Sequence, residues 1–297
     1  MRITRLEDVA PGTRSGRVAV GTFDGVHLGH RDVIAGADTV LTFDPHPVSV
    51  VAPAHTPRLL TPFPVKADLI ASLGVPELVV VHFDAEFAAR SAERFIDEVL
   101  VGRLGASAVS VGENYRFGHA ARGDVALLAA DERFSTIVVP LRELDGEIVS
   151  SSHIRSLIGA GELARAGVLL GAPFELRGTV VHGDRRGREL GFPTANIVPD
   201  ERLARPGHGV YACLANGLPA AVNVGVRPTF ESGRGELIEA FLIDFEGDLY
   251  GSELRLHFLE KLRGERRFDS AEALVAAMQG DVARARAICA SASFGGG

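Results

Sequence analysis

Tryptophan is absent from this chain of 297 residues, and cysteine, methionine and lysine each occur only twice. Each scarcity excludes something. Cys213 and Cys289 are too few and too far apart for a disulfide framework, and without CxxC spacing they make no zinc site. They read as small buried apolar residues. Lys66 and Lys261 are the only lysines, and neither closes a GxxxxGK frame, so the Walker way of cradling phosphates is excluded. No apolar run approaches the roughly 20 residues that cross a bilayer, and the opening MRITRLEDVAPG has no apolar signal core. A cytoplasmic location is the expectation. Positive charge is also in short supply, since 31 basic residues face 38 acidic ones for a net charge of −7. That balance argues against a nucleic-acid surface. The expected partners are small molecules, with neither nucleic acid nor membrane among them.

What is present describes a globular protein of two domains, with 46% hydrophobic and 23% charged residues in a chain long for one core. Up to about Leu170, short β-branched runs alternate with helical patterns. Arg17 to Gly21, Thr39 to Phe43, Leu78 to His82, Ala108 to Gly112 and Ile137 to Val139 read as strands, with helices expected over Pro64 to Leu73 and Ser91 to Leu104. Such alternation implies an α/β domain with a parallel, doubly wound sheet over residues 1–171. After Gly171-Ala172-Pro173 the pattern turns to strands with little helix between them: Phe174 to His182, Tyr211 to Ala215, Ala220 to Val224, Leu237 to Ile243 and Glu253 to Leu262. Residues 172–297 therefore read as a small β-barrel domain. It closes with one helix, capped by Asp269 with Glu272 and burying Leu274, Met278, Val282 and Ile288.

Four places carry chemistry. The run GTFDGVHLGH, Gly21 to His30, sets two histidines three apart where a strand turns into a helix. A helix start offers unpaired N–H groups and a positive dipole end to an anion, and residues at i and i+3 share a face. His27 and His30 can therefore meet one phosphoryl group, with Gly21, Gly25 and Gly29 allowing close backbone approach. In Ser150-Ser151-Ser152-His153-Ile154-Arg155, Arg155 falls in a helix's first turn, where a cation opposes the dipole unless an anion stands before it. In the β domain, Gly191-Phe192-Pro193-Thr194-Ala195-Asn196 puts Thr194 and Asn196 on one side of an extended segment. Their hydroxyl and amide oxygens are hard ligands suited to Mg²⁺. Finally, Glu239 is the single carboxylate of an apolar strand, Leu237 to Ile243, and is either partnered by an arginine or poised as a base.

The first two motifs, in this order, resemble the signatures of the nucleotidylyltransferase superfamily, in the form seen in bacterial bifunctional riboflavin kinase/FMN adenylyltransferases. Further matches are TFDPHP at Thr42 to Pro47, GENYRFG at Gly112 to Gly118 and Gly123-Asp124, and, for riboflavin kinases, GFPTANI, GVYA at Gly209 to Ala212, AVNVGVRPTF at Ala221 to Phe230 and LRGERRF at Leu262 to Phe268. The resemblance spans about Arg17 to Ala283. It implies a Rossmann-like adenylyltransferase domain and a riboflavin-kinase barrel, with riboflavin, FMN, FAD and ATP as substrates or products and Mg²⁺ as cofactor. It further implies that His27 and His30 stabilise an α-phosphate transition state, that Arg155 holds the leaving pyrophosphate, and that Glu239 is a general base. Gly21, Phe23, Asp24, Gly29, Ser151, Ser152, Gly191 and Thr194 would bind nucleotide or phosphate, Asn114 and Arg116 flavin. One departure stands out: only eight residues, Arg31 to Asp38, separate His30 from the next strand, so altered geometry at the rim of the site is expected. A kinase with an idle adenylyltransferase domain, or a flavin-binding regulator without turnover, are the alternatives.

Overall fold

The structure, a computed structural model, describes residues 1–181, 192, 194–227 and 235–292. The chain divides into two compact units, Met1–Ser151 and Ser152–Gly297. In the first, six strands form one sheet: β1 (Arg2–Arg5), β2 (Arg17–Val20), β3 (Thr39–Asp44), β4 (Glu77–His82), β5 (Ala108–Gly112) and β6 (Ser135–Val139). Their order is β1-β4-β3-β2-β5-β6, with every neighbouring pair parallel. The inner strands are apolar on both faces because both are covered. Val18, Val20, Leu41, Phe43, Val79 and Val81 pack on one side with Phe95, Val99 and Leu100, while Ala19, Val40 and Leu78 pack on the other with Val33, Ile34 and Ile70. The edge strand β1 is too short for its pattern to show in the sequence.

The winding locates the site. From β2 the chain steps outward through β3 to β4, then returns to place β5 on the opposite flank of β2. A crevice therefore opens between the carboxyl ends of β2 and β5, the place where ligands bind in open α/β sheets. The short first crossover contains α1 (Leu28–Ile34), two turns whose Val33 and Ile34 are buried. The second crossover contains α2 (Phe63–Ser72), with Pro64 in its first turn. The helix expected from Ser91 begins as an α-helix capped by the Ser91 hydroxyl. It then widens over Phe95–Arg103, where Leu104 N–H reaches back five residues to the Val99 carbonyl at 2.9 Å.

A two-stranded antiparallel hairpin, β7 (Glu143–Leu144) and β8 (Glu147–Ile148), completes the strands of the first unit. The second unit is a closed antiparallel barrel of β9 (Phe174–Val181), β10 (Ala195–Pro199), β11 (Gly209–Ala215), β12 (Leu218–Arg227), β13 (Gly235–Leu242) and β14 (Glu253–Arg263), in the order β10-β13-β12-β11-β14-β9. Closure leaves no open edge. Alternate residues such as Leu176, Tyr211, Cys213, Val222, Ile238, Leu256 and Phe258 are buried inside. The helices α3 (Ser151–Ala160) and α4 (Leu163–Leu170) lie within residues 1–171, read from the sequence as the first domain, whereas from Ser152 onward they belong to the second compact unit. The reason is apolar: Leu163, Ala166, Leu169 and Leu170 are buried, and α4 lies against β9 and β14. The last helix, α5 (Ala271–Ser291), covers Val210, Ala212, Ala221 and Leu262 on the outer face. Its cap is Ser270, whose hydroxyl accepts the Ala273 N–H at 3.2 Å, not the expected Asp269. Both cysteines are buried free thiols, as expected.

Candidate active sites

After β2 the chain leaves the sheet in a sharply bent loop. The last ladder bond runs from Gly21 N–H to the Leu41 carbonyl at 3.1 Å. Beyond it Phe23 and Val26 both adopt left-handed backbone, with φ of 51° and 41°, at a cost of about 1–2 kcal/mol each. The bend turns the Phe23 ring into the core and against Gly21, where an added Cβ would lie 2.9 Å from two ring carbons. Long-range ties hold the loop in place. The buried Asp24 carboxylate accepts the Leu60 N–H at 2.9 Å and the Thr61 N–H at 3.2 Å, Gly25 N–H donates to the Thr61 hydroxyl at 3.1 Å, and Arg31 Nε donates to the Val26 carbonyl.

The loop delivers the histidines to the crevice. His27 caps α1, its Nδ1 accepting the His30 N–H at 3.3 Å. With Nδ1 acting as acceptor, the neutral ring carries its proton on Nε2, which becomes a donor. His30 stacks on His27 with ring centroids 3.5 Å apart and meets Phe23 edge-on at 5.4 Å. Across the switch point, the loop after β5 carries Asn114, which is exposed, and Arg116, which pairs with Asp124 at 3.1 Å. Asp124 in turn caps the helix Val125–Ala129.

In the barrel, the site forms by register. Asn196 on β10 lies opposite Glu239 on β13, and Glu239 lies opposite Asn223 on β12. These three residues share one row of the outer face, and Thr194 stands two residues before Asn196. Asn196 is buried, and its Oδ1 has no hydrogen-bond partner among the described residues. Such an oxygen is costly in isolation and suits a hard cation. The half-buried Glu239 accepts from Asn223 Nδ2 at 3.5 Å. Of the two readings of Glu239, ion pair or base, no arginine partner for the first is found among the described residues.

Two family models match the chain: FAD synthetase over residues 11–153 and riboflavin kinase over residues 170–289. Bifunctional riboflavin kinase/FMN adenylyltransferases from Listeria monocytogenes and Bacillus subtilis are 38% and 37% identical, covering 92% and 89% of this chain and the same shares of their own. The chain belongs to the bifunctional riboflavin kinase/FMN adenylyltransferase family. Both the riboflavin kinase domain and the FAD synthetase domain of these transferases are present. A crystal structure described as a macrolide-efflux protein from Streptococcus pneumoniae has the same fold, with a TM-score of 0.88 and 30% identity over 96% of this chain and 99% of that one. No described helix here is long and apolar enough to cross a membrane.

Within this family fold, the sequence-derived residues separate by position. His27, His30 and Gly29 stand at the start of α1, and Asn114 stands at the neighbouring strand end. Phe23 and Asp24 hold the loop through buried side chains, and the Ser151 hydroxyl donates to the Asp24 carbonyl at 2.9 Å. Ser152 is exposed and Arg155 half-buried on α3, in the second compact unit. Gly191 lies outside the described residues. Asn223 was missed in the sequence, although a lone amide in the apolar run Ala220 to Val224 is the same kind of signal that singled out Glu239.

Proposed function

We propose that residues 1–171 adenylylate FMN and residues 172–297 phosphorylate riboflavin, each with MgATP, in a cytoplasmic enzyme that serves small molecules alone. One observation carries this reading: each compact unit has its own group of polar side chains suited to phosphoryl chemistry. His27 and His30 stand at the switch point, and Asn196, Glu239 and Asn223 lie in one row of the barrel.

In the first site, an FMN phosphate oxygen attacks the α-phosphorus of ATP and the bond to pyrophosphate breaks. No covalent enzyme intermediate is needed, so the work is positioning and stabilisation of charge. His27 Nε2 and the His30 ring donate to the α-phosphoryl oxygens, and Gly21 and Gly29 border the nucleotide. Asn114 and Arg116 line the flavin side. In the second site, Glu239 accepts the proton of the riboflavin 5′-hydroxyl as that oxygen takes the γ-phosphoryl group, releasing ADP. Asn223 orients the Glu239 carboxylate. The orphaned Asn196 Oδ1 fits a hard cation, so Asn196 and Thr194 would hold Mg²⁺, with Gly191 beside the phosphates. The bound ion supplies neutralisation of phosphate charge.

A chromatographic time course of the full chain with riboflavin, ATP and Mg²⁺, and a second started from FMN, tests this directly. FMN followed by FAD is expected. Glu239→Ala should abolish FMN formation and leave FMN-to-FAD conversion, and His30→Ala should do the reverse. Equal loss of both activities in a folded variant would refute the two-site assignment.

A further inference from the structure

Lys66 is one of two lysines in the chain and is buried, 8% exposed, on α2. Its ammonium donates to the Thr22 carbonyl at 3.1 Å, the Thr42 hydroxyl at 3.2 Å and the Phe43 carbonyl at 3.4 Å. Three donors thus meet three acceptors, and the Phe63 ring lies 5.7 Å away. Burial pushes the ammonium's pKa down, and the Asp24 and Asp44 carboxylates oppose that shift. These contacts lie where β2 and β3 part. The Thr22 carbonyl follows the last ladder bond between those strands, and the fully buried Thr42 hydroxyl also donates to it, at 3.1 Å. Left-handed Phe23 follows Thr22 directly, and left-handed Val26 directly precedes His27.

We infer that Lys66 is a positioning residue for adenylyl transfer, clamping the Thr22 carbonyl so that the strained loop presents His27 and His30 in one fixed arrangement. The inference rests on the adenylyltransferase reading of that loop. A strained backbone persists only where its surroundings over-determine it. Asp24, Thr61, Ser151 and Arg31 fix the middle and far end of the loop, whereas among the described residues Lys66 and Thr42 are the side chains that fix its start at Thr22. A neutral side chain could not make three donations from one buried point. Loss of the clamp would free Thr22 to shift. The substrates would still bind, but the imidazoles would be displaced from the transferring group.

The test uses the full chain with Lys66→Met, which keeps the apolar stem, and Thr42→Val, which removes only the second tie. Lys66→Met should lower kcat for FMN adenylylation ~100-fold, the scale of a small misplacement of catalytic groups, with KM for ATP and FMN held within about threefold. Riboflavin phosphorylation by the same molecules should be unchanged. Thr42→Val should give a smaller loss of the same kind, and the double variant should lose less than the product of the two, because both act on one carbonyl. A wild-type kcat in Lys66→Met, a rise confined to KM, or fully multiplicative losses would overturn the inference. If Lys66→Met does not fold, the kcat-against-KM split in Thr42→Val decides. The imidazole Cε1–H resonances of His27 and His30 in the substrate-free protein give a readout independent of turnover. They should move in both variants, and unmoved resonances would overturn the inference. If the parent chain makes no FAD from FMN, the adenylylation reading fails, and these resonances alone judge the clamp.

Discussion

At the scale of single residues, Gly21 shows how a backbone position sets a site. An added methyl would meet the buried Phe23 ring at 2.9 Å, and that ring packs edge-on to His30. Gly21→Ala should cost about 1–3 kcal/mol of stability, the usual range for overpacking. It should also depress FMN adenylylation more than riboflavin phosphorylation, which denaturant midpoints and paired assays would check. In the barrel, Glu175 provides a second residue-scale case. Burial pushes its carboxyl up, but hydrogen bonds from His257, at 3.0 Å, and Arg177 outweigh it and hold the carboxyl at about 2 instead of 4.5. A depressed folded value means stability that is fully present above pH 4.5 and is lost as pH falls toward 2. Urea midpoints of the wild type and Glu175→Gln should therefore differ at pH 6 and converge at the acid end of that window.

At the scale of elements, the attachment of α5 to the barrel depends on ion pairs as well as on apolar contacts, and the most buried of them is Arg263 with Asp281. Arg263 at the end of β14 grips Asp281 through Nε at 2.9 Å and Nη2 at 2.8 Å, and Asp281 is buried. Asp281→Ala leaves a largely buried guanidinium uncompensated and should destabilise the second unit by about 3–5 kcal/mol. Guanidinium denaturation followed by the kinase reaction would measure it. Helix and strand existence was largely legible from periodicity, and most expected strands agree with the observed ones to within a few residues. Helix ends were less so. Asp269 and Ser270 are both good caps, and it is Ser270 that takes the extended cap conformation and accepts the Ala273 N–H. The wide turns of Phe95–Arg103 carry the same apolar face as an ordinary helix, so periodicity could not distinguish them.

At the scale of the whole molecule, the compact units divide at Ser151/Ser152, whereas the family matches leave 154–169 between them. The buried face of α4 explains the difference, since it covers β9 and β14. A fragment of residues 152–297 should consequently be more soluble and unfold at higher temperature than one of residues 172–297, which would leave that apolar face bare. Thermal unfolding of the two fragments checks this, and equal transition temperatures would count against a structural role for α3 and α4.

By itself the sequence determined the class of the two domains, the exclusion of Walker-type phosphate binding, and the residues His27, His30, Asn196 and Glu239 as chemically unusual. These are local facts, carried by periodicity, spacing and the misfit of a polar group in an apolar run. Only the tertiary structure decided that Asp24 turns inward to Leu60 and Thr61, that Lys66 reaches the Thr22 carbonyl, and that Asn196, Glu239 and Asn223 fall in one row. Each depends on register between strands, or on contacts across 36 or more residues for Asp24 and 44 for Lys66. Burial and hydrogen-bond satisfaction select such pairings among many that the local sequence equally permits.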